Sequence, residues 1–257
     1  MNLKPEHIAD TIIFVGDQDR VTKISKHFDV IEFETQKREF KTTTGTYKNK
    51  QFSIISTGIG PDNIDIVMNE LDALVNIDLQ TRKPKEKLTS FNIVRIGTSG
   101  SLQADIPVDS YIISSHALDL NGMLHSYQIE EIANPEIEKA FVKHTNWSAK
   151  RAAPILIGNH KELEHKLTSK DTFAGITATA GGFYGPQGRV LRLNLQDDDL
   201  NQKIDSFSYN DHRITNLEME TSAIYGLAKL LGHNACSISA IMANRANGTF
   251  SKSPDKL

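Results

Sequence analysis

Four short segments carry side chains able to act on a phosphorylated or sugar-bearing ligand. Arg95-Ile96-Gly97-Thr98-Ser99-Gly100 combines a guanidinium, a threonine hydroxyl and two glycines at the end of a candidate strand. Such a set, with its free amides, suits a phosphate or carboxylate; the alternative is a glycine turn whose polar groups face water. The lysine and spacing of a P-loop are missing, and so is the spacing of a dinucleotide fingerprint. Gly16-Asp17-Gln18-Asp19-Arg20 offers a close-approach glycine, helix-start amides and a second guanidinium. Glu218-Met219-Glu220 places two carboxylates two residues apart. They could hold a sugar diol by charge-assisted hydrogen bonds, with the methionine packed beneath, or be no more than a charged helix start. Phe183-Tyr184-Gly185-Pro186-Gln187-Gly188-Arg189 could stack a base on Phe183 and read its edge with Gln187 and Arg189, or be a Gly/Pro turn.

Other chemistries find no support. HExxH, CxxC and Gly-x-Ser-x-Gly are all absent, so neither a metal site nor a nucleophile elbow is expected. The single cysteine, Cys236, sits in an apolar stretch and reads as core. His116 and His125 read as structural or solvated. A net charge of −3 gives no reason to expect nucleic-acid binding, and the one dense basic run, Arg82 to Lys87, reads as an exposed loop. No apolar run reaches the length of a signal peptide or a spanning helix, so a cytoplasmic chain without membrane contact is expected.

These segments need a frame. Thr11–Val15 is a short β-branched run that ends in a glycine and opens a helix, the grammar of an α/β sheet. Phe40 to Tyr47 and Gln51 to Ser56 read as a strand pair. Apolar residues at helical spacing (Ile64, Val67, Met68, Leu71, Leu74) predict a helix running towards Leu79. Further strands are expected at Phe91–Val94, Tyr111–Ile113, Gly175–Thr179 and Ala235–Met242, with a helix over Glu220–Leu231 and a more helical, polar stretch from Glu130 to Lys166. With no repeat and no linker, the chain reads as one domain over 1–257: a three-layer α/β/α fold around a central mixed sheet. Ligands in such sheets gather at the carboxyl ends of strands, where these segments lie.

In this order the segments resemble the uridine phosphorylases within the trimeric/hexameric (class I) nucleoside phosphorylase family. The resemblance runs from about Thr11 to Asn247 and rests on Gly16-Asp17 with Arg20, Arg38-Glu39, Thr44-Gly45-Thr46-Tyr47, Ser56-Thr57-Gly58-Ile59-Gly60, Arg95-Ile96-Gly97-Thr98 and Glu218-Met219-Glu220. It implies that a pentosyltransferase cleaves uridine with inorganic phosphate as co-substrate and no metal. Phosphate then falls to Gly16, Arg20, Arg95 and Thr98, with Arg38 entering from a second subunit of a homo-oligomer. Ribose falls to Met219 and Glu220, with Glu218 beside them. The base falls to Phe183, Gln187 and Arg189, with Arg245 at its far carbonyl. Arg95, Gln187, Arg189 and Glu220 carry the catalytic work. Purine-specific relatives place an aspartate on the last strand, where this chain has Met242-Ala243-Asn244-Arg245. The resemblance also marks departures. His7 is too close to the first strand to match the family's ribose-reaching histidine, 252–257 is too short for a closing helix, and Gly60-Pro61-Asp62-Asn63 lacks the serine of the family's cation site. A purine nucleoside phosphorylase, a nucleosidase or an inactive nucleoside-binding homologue are the alternatives.

Overall fold

The computed structural model describes residues 1–253; the expectation of no closing helix over 252–257 therefore falls largely outside the described residues. The strands are β1 (Thr11–Val15), β2 (Val30–Lys37), β3 (Phe40–Tyr47), β4 (Lys50–Ser56), β5 (Ile77–Asp78), β6 (Lys83–Pro84), β7 (Asn92–Ser101), β8 (Tyr111–Asp119), β9 (Ile155–Gly158), β10 (Thr172–Thr179), β11 (Ser208–Tyr209), β12 (His212–Glu218), β13 (Asn234–Asn244) and β14 (Thr249–Phe250). The helices are α1 (Gln18–Ser25), α2 (Pro61–Asn76), α3 (Pro135–Thr145), α4 (Lys161–Leu167), α5 (Leu200–Asp205) and α6 (Thr221–Leu231).

The main sheet runs β11-β12-β10-β8-β13-β7-β1-β4-β3-β2 and is mixed, as expected. Its spine is parallel: β7 pairs β1 and β13, and β10 pairs β8 and β12. β13 meets β8 antiparallel, and β12 returns to β7 through Asn216–Ser101 and Leu217–Gly100. That last pairing rolls β7, β13, β8, β10 and β12 into a closed ring, a feature the linear pattern did not announce. The ring is stitched by hydroxyls and an amide: Ser114 to Thr177, Thr177 to Asn216, and Asn216 to Ser99, all buried.

Strand alternation divides the core. On β1, Ile12 and Phe14 face a cluster with Val67, Met68 and Leu71 of α2 and Ala223, Ile224 and Leu227 of α6. Ile13 and Val15 face the other way, onto Val21 and Ile24 of α1. The layers expected on either side of the sheet follow from this period of two. α2 stops at Asn76 rather than continuing to Leu79, because Ile77 and Asp78 pair with Pro84 and Lys83. The pattern missed the longer strands β2 and β12 and the two-residue strands β5, β6, β11 and β14, and β9 lies inside the stretch read as helical. Cys236 is buried, as expected, and burial pushes its thiol up to about 11. His116 lies half-buried, edge-on to His212, and His125 Nε2 meets the Ala153 carbonyl oxygen. No helix among the described residues is long and apolar enough to cross a membrane.

Candidate active site

The carboxyl ends of β1, β4, β10 and β12 converge near the middle of β7. Arg95 projects from β7 and is buried. Its Nη2 lies 2.5 Å from Glu220 Oε2 and 3.1 Å from Glu218 Oε2, and its Nη1 donates to Ser239 Oγ at 3.3 Å. The side chain folds back over Gly97: a Cβ there would stand 1.9 Å from Nη1. Gly97 is therefore not a turn residue. The segment for which a glycine turn was the alternative is continuous strand, and its glycine makes room for the arginine beside it.

Glu218 ends β12 and Glu220 stands at the cap position of α6. Glu220 Oε1 accepts the backbone N–H of Gly60 at 2.8 Å. Gly60 has φ +93, a conformation other residues rarely adopt, so the Gly58-Ile59-Gly60 loop delivers an amide that few sequences could aim there. Arg95 is buried, which alone would weaken its charge, but Glu218 and Glu220 outweigh this and hold its pKa above the ordinary value. Glu220 is harder to ionise than a free carboxyl, first because it is buried and then because Glu218 repels it, while Arg95 opposes both.

Arg20, on the first turn of α1, donates to the Ile96 carbonyl at 3.4 Å. Burial and then the nearby Arg95 charge lower its pKa. Arg20 thus stands beside Gly16 at the N-terminus of α1 with no carboxylate bonded to it among the described residues, whereas the neighbouring Arg95 is paired with Glu218 and Glu220. Thr98 lies exposed on the same strand as Arg95. Arg38 is exposed at the β2–β3 turn with φ +54, and its carbonyl accepts from Gln18 Nε2 at the start of α1. The turn is thus docked on the glycine loop, while the Arg38 side chain makes no hydrogen bond among the described residues. Met219 is half-buried between the two carboxylates. His7 stacks on Phe33 at 3.7 Å between ring centroids and so serves the fold.

A second cluster gathers around Gln187, which is buried. Its Oε1 accepts from Arg189 at 2.6 Å and from Arg245 at 2.7 Å, and its carbonyl accepts from Arg245 at 3.0 Å. Arg189 also covers the Phe183 ring, 3.8 Å from its centroid, and donates to the Phe183 carbonyl. Arg245 packs over Gly100, where a Cβ would meet its Nε at 3.3 Å. β7 therefore supports both clusters, through Arg95 and through Gly100. A cavity of about 700 Å³ opens against the insert that carries residues 183–189 between β10 and α5, lined by Asn121, Arg151, Tyr184, Arg189 and Arg192 among others. It reaches Arg189 but not Arg95, Glu218 or Glu220.

Most of the residues singled out from sequence thus fall into two groups, Arg20 with Arg95, Glu218 and Glu220, and Phe183 with Gln187, Arg189 and Arg245. Arg38 and Thr98 stay outside both. The sequence reading missed Gly60, Gly97, Thr179 and Ser239. Only the glycines left a signal, and it was taken for punctuation.

A model of the phosphorylase superfamily matches residues 10–255. The chain belongs to this family. Within the phosphorylase superfamily it is 29% identical to the uridine phosphorylase of Thermococcus kodakarensis, over 98% of this chain and 79% of that one. It is 27% identical to a DeoD-type purine nucleoside phosphorylase of Listeria monocytogenes, over 91% of this chain and 82% of that one. Among solved structures it resembles a Trypanosoma brucei nucleoside phosphorylase described as showing uridine phosphorylase activity. The TM-score there is 0.84 at 28% identity, covering 97% of this chain and 90% of that one.

Proposed function

We propose that this chain catalyses the reversible phosphorolysis of uridine to uracil and ribose 1-phosphate. Phosphorolysis of a nucleoside is common to the relatives named above, which act on uridine or on purine nucleosides. The choice of uridine rests on one observation: Arg189 and Arg245 share the Gln187 side-chain oxygen. Burial lowers the pKa of both, and that of Arg245, down to about 10, falls further because the charge beside it is Arg189. Neither has a carboxylate partner among the described residues. Two adjacent, partly desolvated cations are costly until an anion arrives. A pyrimidine leaving as its anion is such a partner, and the stabilisation grows as the charge develops. Because a guanidinium can only donate, the atom of Gln187 facing both must be its oxygen, which leaves the two Nε2 hydrogens for a base carbonyl.

On this reading Gly16, Arg20, Arg95 and Thr98 hold phosphate, with Arg38 reaching in from a second subunit. Met219 and Glu220 hold the ribose, and Phe183 faces the base. A phosphate oxygen forms a bond to C1′ as the C1′–N1 bond breaks, and its electron pair leaves with uracil. The sugar passes through an oxocarbenium-like state that phosphate itself stabilises. No enzyme nucleophile is required.

A purine substrate is the second reading, favoured by the resemblance to the Listeria enzyme. Against it stands Asn244, which is followed at the end of β13 by Arg245 and not by the aspartate expected of purine-specific relatives. Both its Nδ2 hydrogens are committed to the carbonyls of Gln103 and Ile106. A nucleosidase would not need the guanidiniums of Arg20 and Arg95. The test is uracil release from uridine with and without inorganic phosphate. Release that depends on phosphate and yields ribose 1-phosphate supports the proposal. Equal release without phosphate indicates a nucleosidase, and no release in either case an inactive homologue.

A further inference from the structure

Glu218 and Glu220 both meet Arg95, yet their remaining capacities differ. A carboxylate offers about four lone-pair sites. Glu218 Oε1 accepts from Thr179 Oγ1 at 2.7 Å and from Thr221 N at 3.1 Å. Its Oε2 accepts from Glu220 N at 2.9 Å and Thr221 N at 3.0 Å, and forms an ion pair with Arg95 Nη2 at 3.1 Å. Those donors fill the carboxylate, whose side chain is 2% exposed. Thr179 has no freedom to turn away: its Oγ1 accepts the Ser222 N–H at 3.0 Å, so its one proton goes to Glu218. Ser222 is fixed in turn by donating to buried Asp119 at 2.8 Å. Among the described residues Glu220 accepts only from Gly60 N and Arg95 Nη2, which leaves about two sites vacant.

Arg95 shows the complementary count. One Nη2 hydrogen goes to Glu220 and one Nη1 hydrogen to Ser239, while Glu218 holds Nη2 as an ion pair at 3.1 Å. One Nη1 hydrogen and the Nε hydrogen remain. Glu218 and Ser239 hold the fork on two sides, and that fixes where those free hydrogens lie.

We infer that Glu218 is a positioning residue: it clamps Arg95 and the first turn of α6 and does not touch the sugar, so that Glu220 alone accepts the ribose hydroxyls. The inference rests on the phosphorylase reading of the site, and it departs from the assignment of Glu218 to the ribose side that the sequence resemblance suggests. Placing two carboxylates on one diol would require Glu218 to give up donors that a buried group cannot replace with water.

The test compares Glu218→Gln and Glu220→Gln on uridine and 2′-deoxyuridine, with phosphate varied. A residue that binds the 2′-hydroxyl loses its effect when that hydroxyl is absent; a positioning residue does not. Glu218→Gln is expected to lower kcat/KM by about tenfold to a hundredfold on both nucleosides alike, and to raise the KM for phosphate by about tenfold. Glu220→Gln is expected to fall at least about tenfold more on uridine than on 2′-deoxyuridine. If Glu218→Gln folds poorly, Thr179→Val, which removes one donor to Glu218, shifts the phosphate KM in the same direction, and Thr179→Ser restores it. A Glu218→Gln defect that disappears on 2′-deoxyuridine, or one that leaves the phosphate KM untouched, overturns the inference. Should the wild-type protein cleave no uridine, the phosphorylase reading fails on its own account. Crystal structures still decide the clamp: Arg95 displaced from Ser239 in Glu218→Gln supports it, and Arg95 unmoved rejects it.

Discussion

Arg189 and Arg245 come from an insert and from the end of the last long strand, and both donate to the same oxygen of Gln187, at 2.6 and 2.7 Å. Two neighbouring polar side chains and a third 58 residues away therefore share one orientation. Removing one leaves the others mispointed as well as unpaired.

Gln187→Ala and Arg189→Ala are accordingly expected to cost about 1–3 kcal/mol each in transition-state stabilisation on uridine, a loss of roughly tenfold to a hundredfold in kcat/KM. Phosphate affinity should stay near the wild-type value, because Arg20 and Arg95 lie in the other cluster. Steady-state kinetics with each substrate varied in turn checks this. A parallel loss of phosphate affinity in a folded Gln187→Ala protein contradicts the division of roles.

Gly97→Ala is expected to displace Arg95, since the new Cβ would stand 1.9 Å from its Nη1. Misplacing a positioning group by about 1 Å can cost on the order of 10²-fold in rate. Activity should fall while the circular dichroism spectrum and oligomeric state hold. Full activity in Gly97→Ala would mean that the folded-back Arg95 is not the working conformation.

A good part of this was legible in the sequence. β1, β10 and β13 declared themselves by short β-branched runs, and α2 by apolar residues every three or four positions. β2 did not, although Ile31, Phe33 and Thr35 alternate with Glu32, Glu34 and Gln36; no residue of it is fully buried, so its apolar side reads weakly. β12 did not, because its polar Thr215 and Asn216 are buried and satisfied, Thr215 by the Ile176 carbonyl and Asn216 by the hydroxyls of Ser99 and Thr177. A buried polar strand looks like a loop until its partners are known. The candidate site was legible as residue types but not as geometry. Glu218 and Glu220 looked equivalent, and only the donors from Thr179, Thr221 and Gly60 separate them. Gly97 and Gly100 looked like a turn, whereas each makes room for an arginine.

The account also expects a site completed by a second subunit. Arg38 is exposed on a turn that is itself docked on the loop after β1, and no described residue pairs with its side chain. Arg38→Ala and Arg95→Ala should each be nearly inactive alone. In a mixed oligomer one site carries both defects and another carries neither, so mixing after reversible dissociation should restore a substantial fraction of activity. A mixture that stays inactive although mass measurement finds heterodimers shows that Arg38 does not act across an interface.

Stability should weaken in mild acid for a reason remote from catalysis. His116 is held down to about 4 by burial first, then by His212 and Lys161, with Lys229 adding to this and Glu164 opposing. The unfolded chain takes up this proton near pH 6.5, whereas the folded chain does so only near 4. Between those values the unfolded state binds more protons, so stability falls as pH drops through this window and levels off below it. Partial burial limits the loss at pH 5 to at most about 2 kcal/mol. The drop in Tm between pH 7.5 and pH 5 should be smaller in His116→Gln than in the wild type. An equal drop in both would assign the acid sensitivity to other groups.

The central claim is that a pyrimidine nucleoside is cleaved by phosphate at this site. The most direct measurement is an ultraviolet assay of base release from uridine and from inosine, run side by side at saturating phosphate with the same protein. The account predicts that uridine is turned over with the higher kcat/KM and inosine poorly, because Gln187, Arg189 and Arg245 face the leaving base. Faster hypoxanthine release than uracil release would contradict it.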